Sequence, residues 1–335
     1  MCGIAFWSKA RRNSDIADST LLAAALLRQI ESRGHMAAGA AWHDPTNAVW
    51  WQKAPTSGSV LAKSLAVPAD APVGMLHTRF ATKGSPSQNG NNHPILRPGI
   101  VMVHNGVIRN DDAVFATLKV DRLHEVDSEA IAASLMASGT LDERLGALHG
   151  AAAVIWMDVD SDEGGNSPTI HAARCSSSPL VLGQTKAGDT IAASTQAHLI
   201  AATRACGITL VWVHEMTEWQ YVEVRHGKVL TMRDLERPAW STASTYVAPD
   251  WRGGLKVYGR TGTTPVTPLP PRTDTLPSTE QAMARWAYEQ KQLYDDGMFD
   301  DPWEDEDGFA TDTLHRDPAV DDLIVPWEED VFDEE

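Results

Sequence analysis

The spacing of apolar side chains divides the chain into helical and extended segments. Residues 16–32 carry apolar positions at helical spacing, dominated by Ala and Leu, which predicts a packed helix. Further helices are predicted at residues 111–118, 127–138 and 196–205. Short apolar runs between turn residues predict strands at residues 4–7, 37–42, 49–51, 73–78, 100–104, 152–159, 169–174, 180–182, 190–193, 208–213, 220–224 and 228–232.

The order of these elements indicates the fold class. Blocks of strands alternate with grouped helices, which favours packed sheets flanked by helices, an α+β fold, over repeated strand–helix–strand units. Residues 83–92 are rich in Gly, Ser, Asn and Pro and predict a mobile surface loop. The strand at residues 100–104 is expected to end at Asn105-Gly106, a pair that often forms a hairpin turn.

The composition changes after Arg237. Residues 238–278 are predicted to be a Pro/Thr-rich linker and residues 279–294 a possible amphipathic helix. Residues 295–335 contain 18 acidic side chains and one basic side chain, and they predict a disordered acidic tail. The net charge of −17 therefore belongs to the tail, and it carries no information about a substrate of the folded part.

The acidic tail contains a short repeat, because Pro302-Trp303-Glu304 recurs as Pro326-Trp327-Glu328. Two interpretations remain open. The tryptophans can belong to a solvating tail without further role, or each can anchor a docking motif whose acidic flanks steer a partner.

Composition and cysteine content suggest a compartment. The chain of 335 residues is 43% hydrophobic, enough for a core, and its three cysteines form no disulfide framework. The chain has neither an uninterrupted apolar run of membrane-spanning length nor a signal-peptide pattern. We expect a cytoplasmic protein that contacts neither membranes nor nucleic acid.

Cys2 is the first candidate for chemistry. Removal of Met1 would place a thiol and an α-amine on one residue. An α-amine with a pKa of about 7.7–8.0 can accept the proton of a thiol with a pKa of about 8.5. This combines a nucleophile and its base. The alternative is a buried cysteine that only packs.

Further motifs follow Cys2-Gly3-Ile4 along the chain. In order they are Arg33-Gly34-His35-Met36-Ala37-Ala38-Gly39, His77-Thr78-Arg79-Phe80-Ala81-Thr82-Lys83-Gly84, Asn92-His93-Pro94, His104-Asn105-Gly106 and Asp127-Ser128-Glu129. With this ordered set the chain resembles the class II glutamine amidotransferases, the cysteine branch of the N-terminal nucleophile hydrolases. The resemblance predicts a glutaminase domain at residues 2–237 with a four-layer αββα sandwich.

The resemblance implies a role for each central residue. Cys2 would be the nucleophile, and the Asn105 amide and Gly106 N–H would hold the oxyanion formed when a thiolate attacks a carboxamide. Arg79 would bind the carboxylate of glutamine and Asp127 its ammonium group. Without the other motifs, Arg79 would be read as part of a surface ion pair and Asp127 as a helix N-cap.

The resemblance also extends to residues around these groups. Arg33 corresponds to an arginine near the nucleophile, while Thr82 and residues 83–92 correspond to a loop that covers the glutamine. Met36 is a departure, because the family pattern has Asp at this position. An apolar side chain there suggests that the residues supporting the site are packed differently, or that the activity is weakened.

Three histidines raise the question of a metal. The spacing of His77, His93 and His104 does not follow a compact zinc pattern. His93 and His104 stand where the family has histidines that bind no metal, and His93 is placed among the substrate-binding residues. No metal and no cofactor are predicted.

The resemblance implies hydrolysis of the glutamine side-chain amide to glutamate and ammonia. Since no signature of an ammonia-accepting domain is recognisable in the chain, the acceptor is expected on a partner synthase, with the acidic tail as a candidate docking segment. Two alternatives stay open. One is an N-terminal cysteine amidohydrolase for another amide, and the other is an inactive scaffold that binds partners through the tail.

Overall fold

A computed structural model of the protein describes residues 2–46, 48–158 and 169–242. These contain the strands β1 Gly3–Ser8, β2 Ala37–His43, β3 Val49–Ala54, β4 Val73–Arg79, β5 Ile95–Arg97, β6 Ile100–Ile108, β7 Gly150–Asp158, β8 Ile170–Arg174, β9 Val181–Thr185, β10 Thr190–Ala193, β11 Leu210–Glu215, β12 Gln220–Arg225 and β13 Lys228–Asp234. The helices are α1 Ser19–Ile30, α2 Gly58–Leu61, α3 Asp111–Leu118, α4 Ser128–Leu135, α5 Leu141–Gly146, α6 Gln196–Ala205 and α7 Ala239–Thr242.

Three segments were predicted towards the end of the chain. The possible helix at residues 279–294 and the acidic tail at residues 295–335 lie outside the described residues, as does the predicted linker beyond Thr242. At the start of that linker, α7 forms a single helical turn.

The strands form two antiparallel sheets. The first has the order β11-β9-β10-β1-β4-β2-β3, and the second has the order β13-β12-β8-β7-β6-β5. β1 lies inside the first sheet, paired with both β10 and β4. The strand β1 is therefore held on both sides, and Cys2 directly precedes it.

Alternate residues of each strand face different layers, as the two-residue repeat of a strand requires. In β1, Ile4 and Phe6 belong to a core shared with β6 and β7, whereas Ala5 and Trp7 pack in a second core with α1 and α6. In β6, Met102 belongs to a third core with α3 and α4. The described part of the chain is thus a four-layer αββα sandwich, which confirms the predicted fold class.

Several predicted boundaries are confirmed and others are wrong. α3, α6 and β10 begin and end where the sequence pattern predicts, but the helix predicted at residues 127–138 spans only Ser128–Leu135. Four short elements, α2, α5, α7 and β5, were not predicted. α5 has a readable signal, because Thr140 and Glu143 form a capping box at its start.

The predicted end of the strand at Asn105-Gly106 is also wrong. β6 continues to Ile108, and the pair stays in the ladder opposite Ala153 and Ala152 of β7. Gly106 has φ 147°, and a Cβ atom there would lie 1.9 Å from the Ala151 carbonyl oxygen. Glycine is needed for close approach inside a strand, so the pair does not mark a turn.

The length of a helix decides whether it can cross a membrane. The longest in the described part, α1, has 12 residues, and none there is both long and apolar enough to cross a membrane.

Candidate active site

A small cavity next to Cys2 brings together most of the residues predicted from the motifs. Besides Cys2, its lining includes Arg79, Thr82, His93, Gly106 and Asp127. The volume of this cavity is ≈ 10 Å³, about the space that one water molecule needs. A substrate as large as an amino acid would therefore need the surrounding residues to move apart.

Cys2 is half-buried at the start of β1. Its Sγ donates to the Phe80 carbonyl oxygen at 3.6 Å, and Arg33 Nε donates to the Cys2 carbonyl oxygen at 2.8 Å. Arg33 therefore holds the main chain of Cys2. Burial raises the pKa of the Cys2 thiol, so a base beside it is needed to form the thiolate.

Gly3 allows β1 to lie close to the end of α1. A Cβ atom at Gly3 would be 2.5 Å from the Ile30 carbonyl oxygen and 2.6 Å from Thr78 Oγ1. The glycine that follows Cys2 is therefore required by packing, and a larger side chain there would displace Cys2.

Asn105 and Gly106 lie next to each other on β6, between the two sheets. Asn105 is buried, and its Nδ2 has no hydrogen-bond partner among the described residues. An unpaired buried donor costs about 1–3 kcal/mol. The arrangement suits an amide that donates to a charge appearing only during a reaction.

Asp127 occupies the N-cap position of α4, but its side chain makes no capping bond. Its Oδ2 instead accepts from the Ile108 backbone N–H at 2.6 Å. The alternative reading is therefore right about the position of Asp127, but its side chain does not cap α4. The bond to the end of β6 fixes a buried carboxylate in the wall of the cavity, where it can meet a cation.

The two residues after Asp127 bind different elements. Ser128 Oγ lies 2.9 Å from His104 Nδ1, on β6. Glu129 is fully buried and pairs with Arg97 of β5 at 2.6 Å. The Asp-Ser-Glu motif thus fixes α4 against the second sheet, a function for Ser128 and Glu129 that the sequence reading missed.

Arg79 is buried and borders the cavity, so the surface alternative is wrong. Its guanidinium donates to Asn92 Oδ1 at 2.8 Å and to the carbonyl oxygens of Lys83 and Gly84 at 2.6 and 2.8 Å. These three bonds hold the start and end of the loop at residues 83–92. A bidentate contact with a carboxylate would have to replace part of this set.

The loop at residues 83–92 is only partly the surface loop that was predicted. Residues 89–91 form a 3-10 turn, and Asn91 and Asn92 are buried. Asn91 Nδ2 donates to Glu125 Oε2 at 3.0 Å, and Asn92 Nδ2 donates to the Pro86 carbonyl oxygen at 2.8 Å. Asparagine side chains therefore replace the backbone ladder that a regular element would supply.

Two lysines that the sequence reading missed also secure this loop. Lys53 on β3 is buried, and its Nζ donates to the carbonyl oxygens of Asn92 and Pro94 at 3.0 and 3.1 Å. Lys83 forms an ion pair with Asp111 at the start of α3. Lys53 carries no local signal, because a lysine within a strand is normally read as solvent-exposed.

The three histidines form a buried group beneath the cavity. The rings of His77 and His93 stack with centroids 4.0 Å apart, and His77 Nε2 lies 3.0 Å from the His104 carbonyl oxygen. Burial lowers the pKa of His77 to about 3 and also lowers the pKa values of His93 and His104. The described residues contain no group of three His, Cys, Asp or Glu side chains that could hold a metal.

Solved structures with the same architecture identify the fold. A glutamine phosphoribosylpyrophosphate amidotransferase from B. subtilis, complexed with ADP and GMP, matches with a TM-score of 0.55 and 17% identity. A structure described as the allosteric regulatory enzyme of purine biosynthesis matches with a TM-score of 0.57 and 16% identity. Each match covers 70% of this chain and 49% of the other. The chain therefore shares its fold with these two structures.

Proteins of similar sequence give a closer comparison than these structures. The isomerizing glutamine–fructose-6-phosphate aminotransferases of Salmonella paratyphi A and Escherichia coli K12 are each 34% identical over 216 residues, or 61% of this chain. The chain spans a third of the length of these relatives. No protein-family model matches the chain. Over this shared region the chain is similar to these glutamine-dependent aminotransferases, in line with its resemblance to the class II glutamine amidotransferases.

Proposed function

We propose that the mature protein hydrolyses the side-chain amide of glutamine, with Cys2 as the nucleophile. The observation that carries this proposal is the common cavity in which Cys2 meets Gly106, Arg79 and Asp127, next to the unpaired amide of Asn105. These groups match the nucleophile, the oxyanion donors and the two charges that a zwitterionic amide substrate requires.

The reaction begins after removal of Met1 frees the α-amine of Cys2. The amine takes the thiol proton, and Sγ attacks the carboxamide carbon of the substrate. Asn105 Nδ2 and the Gly106 N–H donate to the oxyanion of the tetrahedral intermediate. The protonated amine returns its proton to the leaving nitrogen, ammonia departs, and water then hydrolyses the γ-glutamyl thioester to glutamate and the free thiol.

The remaining residues hold the substrate and the nucleophile. Asp127 receives the substrate ammonium, and Arg79 receives its carboxylate by exchanging loop carbonyls for carboxylate oxygens. Arg33 fixes the Cys2 carbonyl, and Thr82 and His93 form parts of the cavity wall.

The test is an assay of glutamate release on protein whose intact mass shows that Met1 is absent. The wild type should release glutamate and ammonia in equal amounts from glutamine. The Cys2→Ala variant should lose at least about 10³-fold in turnover, because it lacks the nucleophile. The absence of glutamate release by correctly processed wild type would contradict the proposal.

A second candidate keeps the same chemistry but uses another amide. It is favoured by the three bonds that Arg79 makes to Asn92, Lys83 and Gly84, which occupy much of the group assigned to the glutamine carboxylate. Amides without an α-carboxylate should then be hydrolysed faster than glutamine. A preference of at least tenfold for glutamine would exclude this candidate.

We infer that the released ammonia is used by a partner synthase that the acidic tail recruits. The sequence of the tail supports this, because the two Pro-Trp-Glu motifs place an aromatic anchor beside acidic side chains. Deletion of residues 295–335 should abolish capture of a partner that forms an aminated product from glutamine. The Trp303→Ala/Trp327→Ala double variant keeps the charge and should also lose capture, whereas identical partner sets for all three proteins would contradict the idea.

A further inference from the structure

One peptide group stands between two sulfur atoms at the entrance to the site. It joins Phe80 to Ala81, directly after β4. Its carbonyl oxygen accepts from Cys2 Sγ at 3.6 Å, and its N–H donates to Met36 Sδ at 3.3 Å. The thioether of Met36 and the thiol of Cys2 are therefore connected through a single planar unit.

The main chain around Met36 is fixed against the same segment. The Met36 N–H donates to the Arg79 carbonyl oxygen at 3.0 Å, and Ala37 pairs with Arg79 in the sheet. Gly34 approaches so closely that a Cβ atom there would lie 2.4 Å from the Arg79 carbonyl carbon. The position of Met36 beside the peptide thus follows from the strand pairing of β2 with β4.

Packing alone does not account for Met36. Its side chain is 36% exposed, whereas the methionines of the inter-sheet core, such as Met75 and Met157, are fully buried. Its position is also the one where the family pattern has an aspartate, a strong acceptor. A thioether is a weaker acceptor, but it can still receive one N–H.

We propose that Met36 is a positioning residue for the nucleophile, acting through the Phe80–Ala81 peptide. By accepting the Ala81 N–H it fixes the plane of that peptide and keeps the Phe80 carbonyl directed at Cys2 Sγ. A hydrogen bond at the N–H end also makes the carbonyl a better acceptor. The proposal rests on the role of Cys2 in the proposed function.

The experiment compares Met36→Leu, which removes the acceptor but keeps the volume, with Met36→Gln, whose amide oxygen can accept the same N–H. Met136→Leu is the matched control, because Met136 is an exposed methionine at the end of α4. Two quantities are measured on processed protein. They are the rate of Cys2 alkylation by iodoacetamide against pH, quantified on the N-terminal peptide, and the rate of glutamine hydrolysis.

Met36→Leu should shift the alkylation profile of Cys2 to lower pH, since the thiol loses its fixed acceptor. Loss of one hydrogen bond also predicts a fall of about 2–10-fold in glutamine turnover. Met36→Gln should restore most of both quantities, and Met136→Leu should match the wild type.

The two readouts separate this proposal from the proposed function. Because alkylation does not require glutamine, a shifted profile in Met36→Leu supports the positioning role even if no variant hydrolyses glutamine. An unshifted alkylation profile in Met36→Leu would overturn the proposal, and so would an equal shift in Met36→Leu and Met36→Gln.

Discussion

The loop at residues 83–92, which we propose covers the substrate, differs from the floor of the cavity in the hydrogen bonding of its buried polar atoms. In the loop, the side-chain oxygen and nitrogen of both buried asparagines have partners. Asn91 bonds to Glu125 through both atoms. Asn92 accepts from Arg79 and donates to the Pro86 carbonyl oxygen. We use the word floor for the buried polar group beneath the cavity, which comprises His77, His93, His104 and Asn105. Both ring nitrogens of His104 have partners. Within the described residues, both ring nitrogens of His93, Nδ1 of His77 and Nδ2 of Asn105 have no hydrogen-bond partner.

This difference distinguishes residues that support the structure from residues that can take part in a reaction. Each unpaired buried group destabilises the fold by about 1–3 kcal/mol, so such groups are rare unless they serve a function. The buried asparagines of the loop have hydrogen-bond partners, and these bonds fix the conformation of the loop. The floor keeps one unpaired amide donor, Nδ2 of Asn105, that a reacting substrate can use, which is why we assign the chemistry to Asn105 and the covering role to the loop.

The largest effect should come from the floor. Asn105→Ala removes an oxyanion donor and should lower kcat by about 10²–10³-fold with little change in KM, because the bond forms only in the transition state. Asn89→Ala, which removes a loop donor to the Lys53 carbonyl, is the matched control and should change kcat less than tenfold. Steady-state kinetics check both, and similar losses of kcat would remove the distinction between loop and floor.

Asp127→Asn should have the next largest effect. The amide can still accept from the Ile108 N–H, but it no longer carries the charge that meets the substrate ammonium. The KM for glutamine should rise about 10–100-fold, the range of one hydrogen bond to a charged group. A glutamine analogue without the α-amino group should be hydrolysed equally by variant and wild type. A KM increase for both substrates would show that Asp127 does not recognise the ammonium.

A smaller effect is expected at the loop. Lys83→Met removes the ion pair with Asp111, whose carboxylate keeps its contact with Arg122. The side chain of Lys83 is 42% exposed, so the loss should be below about 1 kcal/mol and should appear as a KM increase of up to about fivefold. Lys63→Met changes an exposed lysine beyond α2 and should have no effect. A decrease in kcat beyond tenfold in Lys83→Met would move the loop into the chemistry.

His77 and His93 should also make the stability of the fold depend on pH. Below pH of about 6.5 the unfolded chain binds protons at these side chains, whereas burial lowers the pKa of folded His77 to about 3. The unfolded state therefore binds more protons, and the free energy of unfolding decreases as pH falls from about 6.5, by up to about 1.4 kcal/mol per pH unit for each histidine. His93→Phe should make this slope shallower in urea unfolding between pH 6 and 4. Parallel slopes for variant and wild type would contradict the assignment.

The sequence predicts the elements whose signals are local. The helix α6 and the strand β10 have the predicted bounds, and the order of the motifs predicts the cavity residues that meet Cys2. The Asn105-Gly106 pair shows the limit of local reading. Its turn preference is overridden by pairing with β7, which satisfies the backbone on both sides of the glycine.

Contacts that depend on the tertiary fold were not predictable. Lys53 lies 39 positions before the Asn92 carbonyl that it binds, and nothing near it in the sequence indicates that it is buried. The assignment of Arg79 was incomplete for the same reason. A motif identifies the residue but does not show that its guanidinium also holds the covering loop.

The most direct test of the account is the intact mass of the protein before and after treatment with a glutamine-mimicking electrophile. The first mass should show loss of Met1. The second should show one adduct, located on Cys2, that is reduced by competing glutamine and missing from Cys2→Ala. Processed wild type without an adduct on Cys2 would contradict the central claim that Cys2 is the nucleophile of a glutamine site, and it would favour a catalytically silent scaffold.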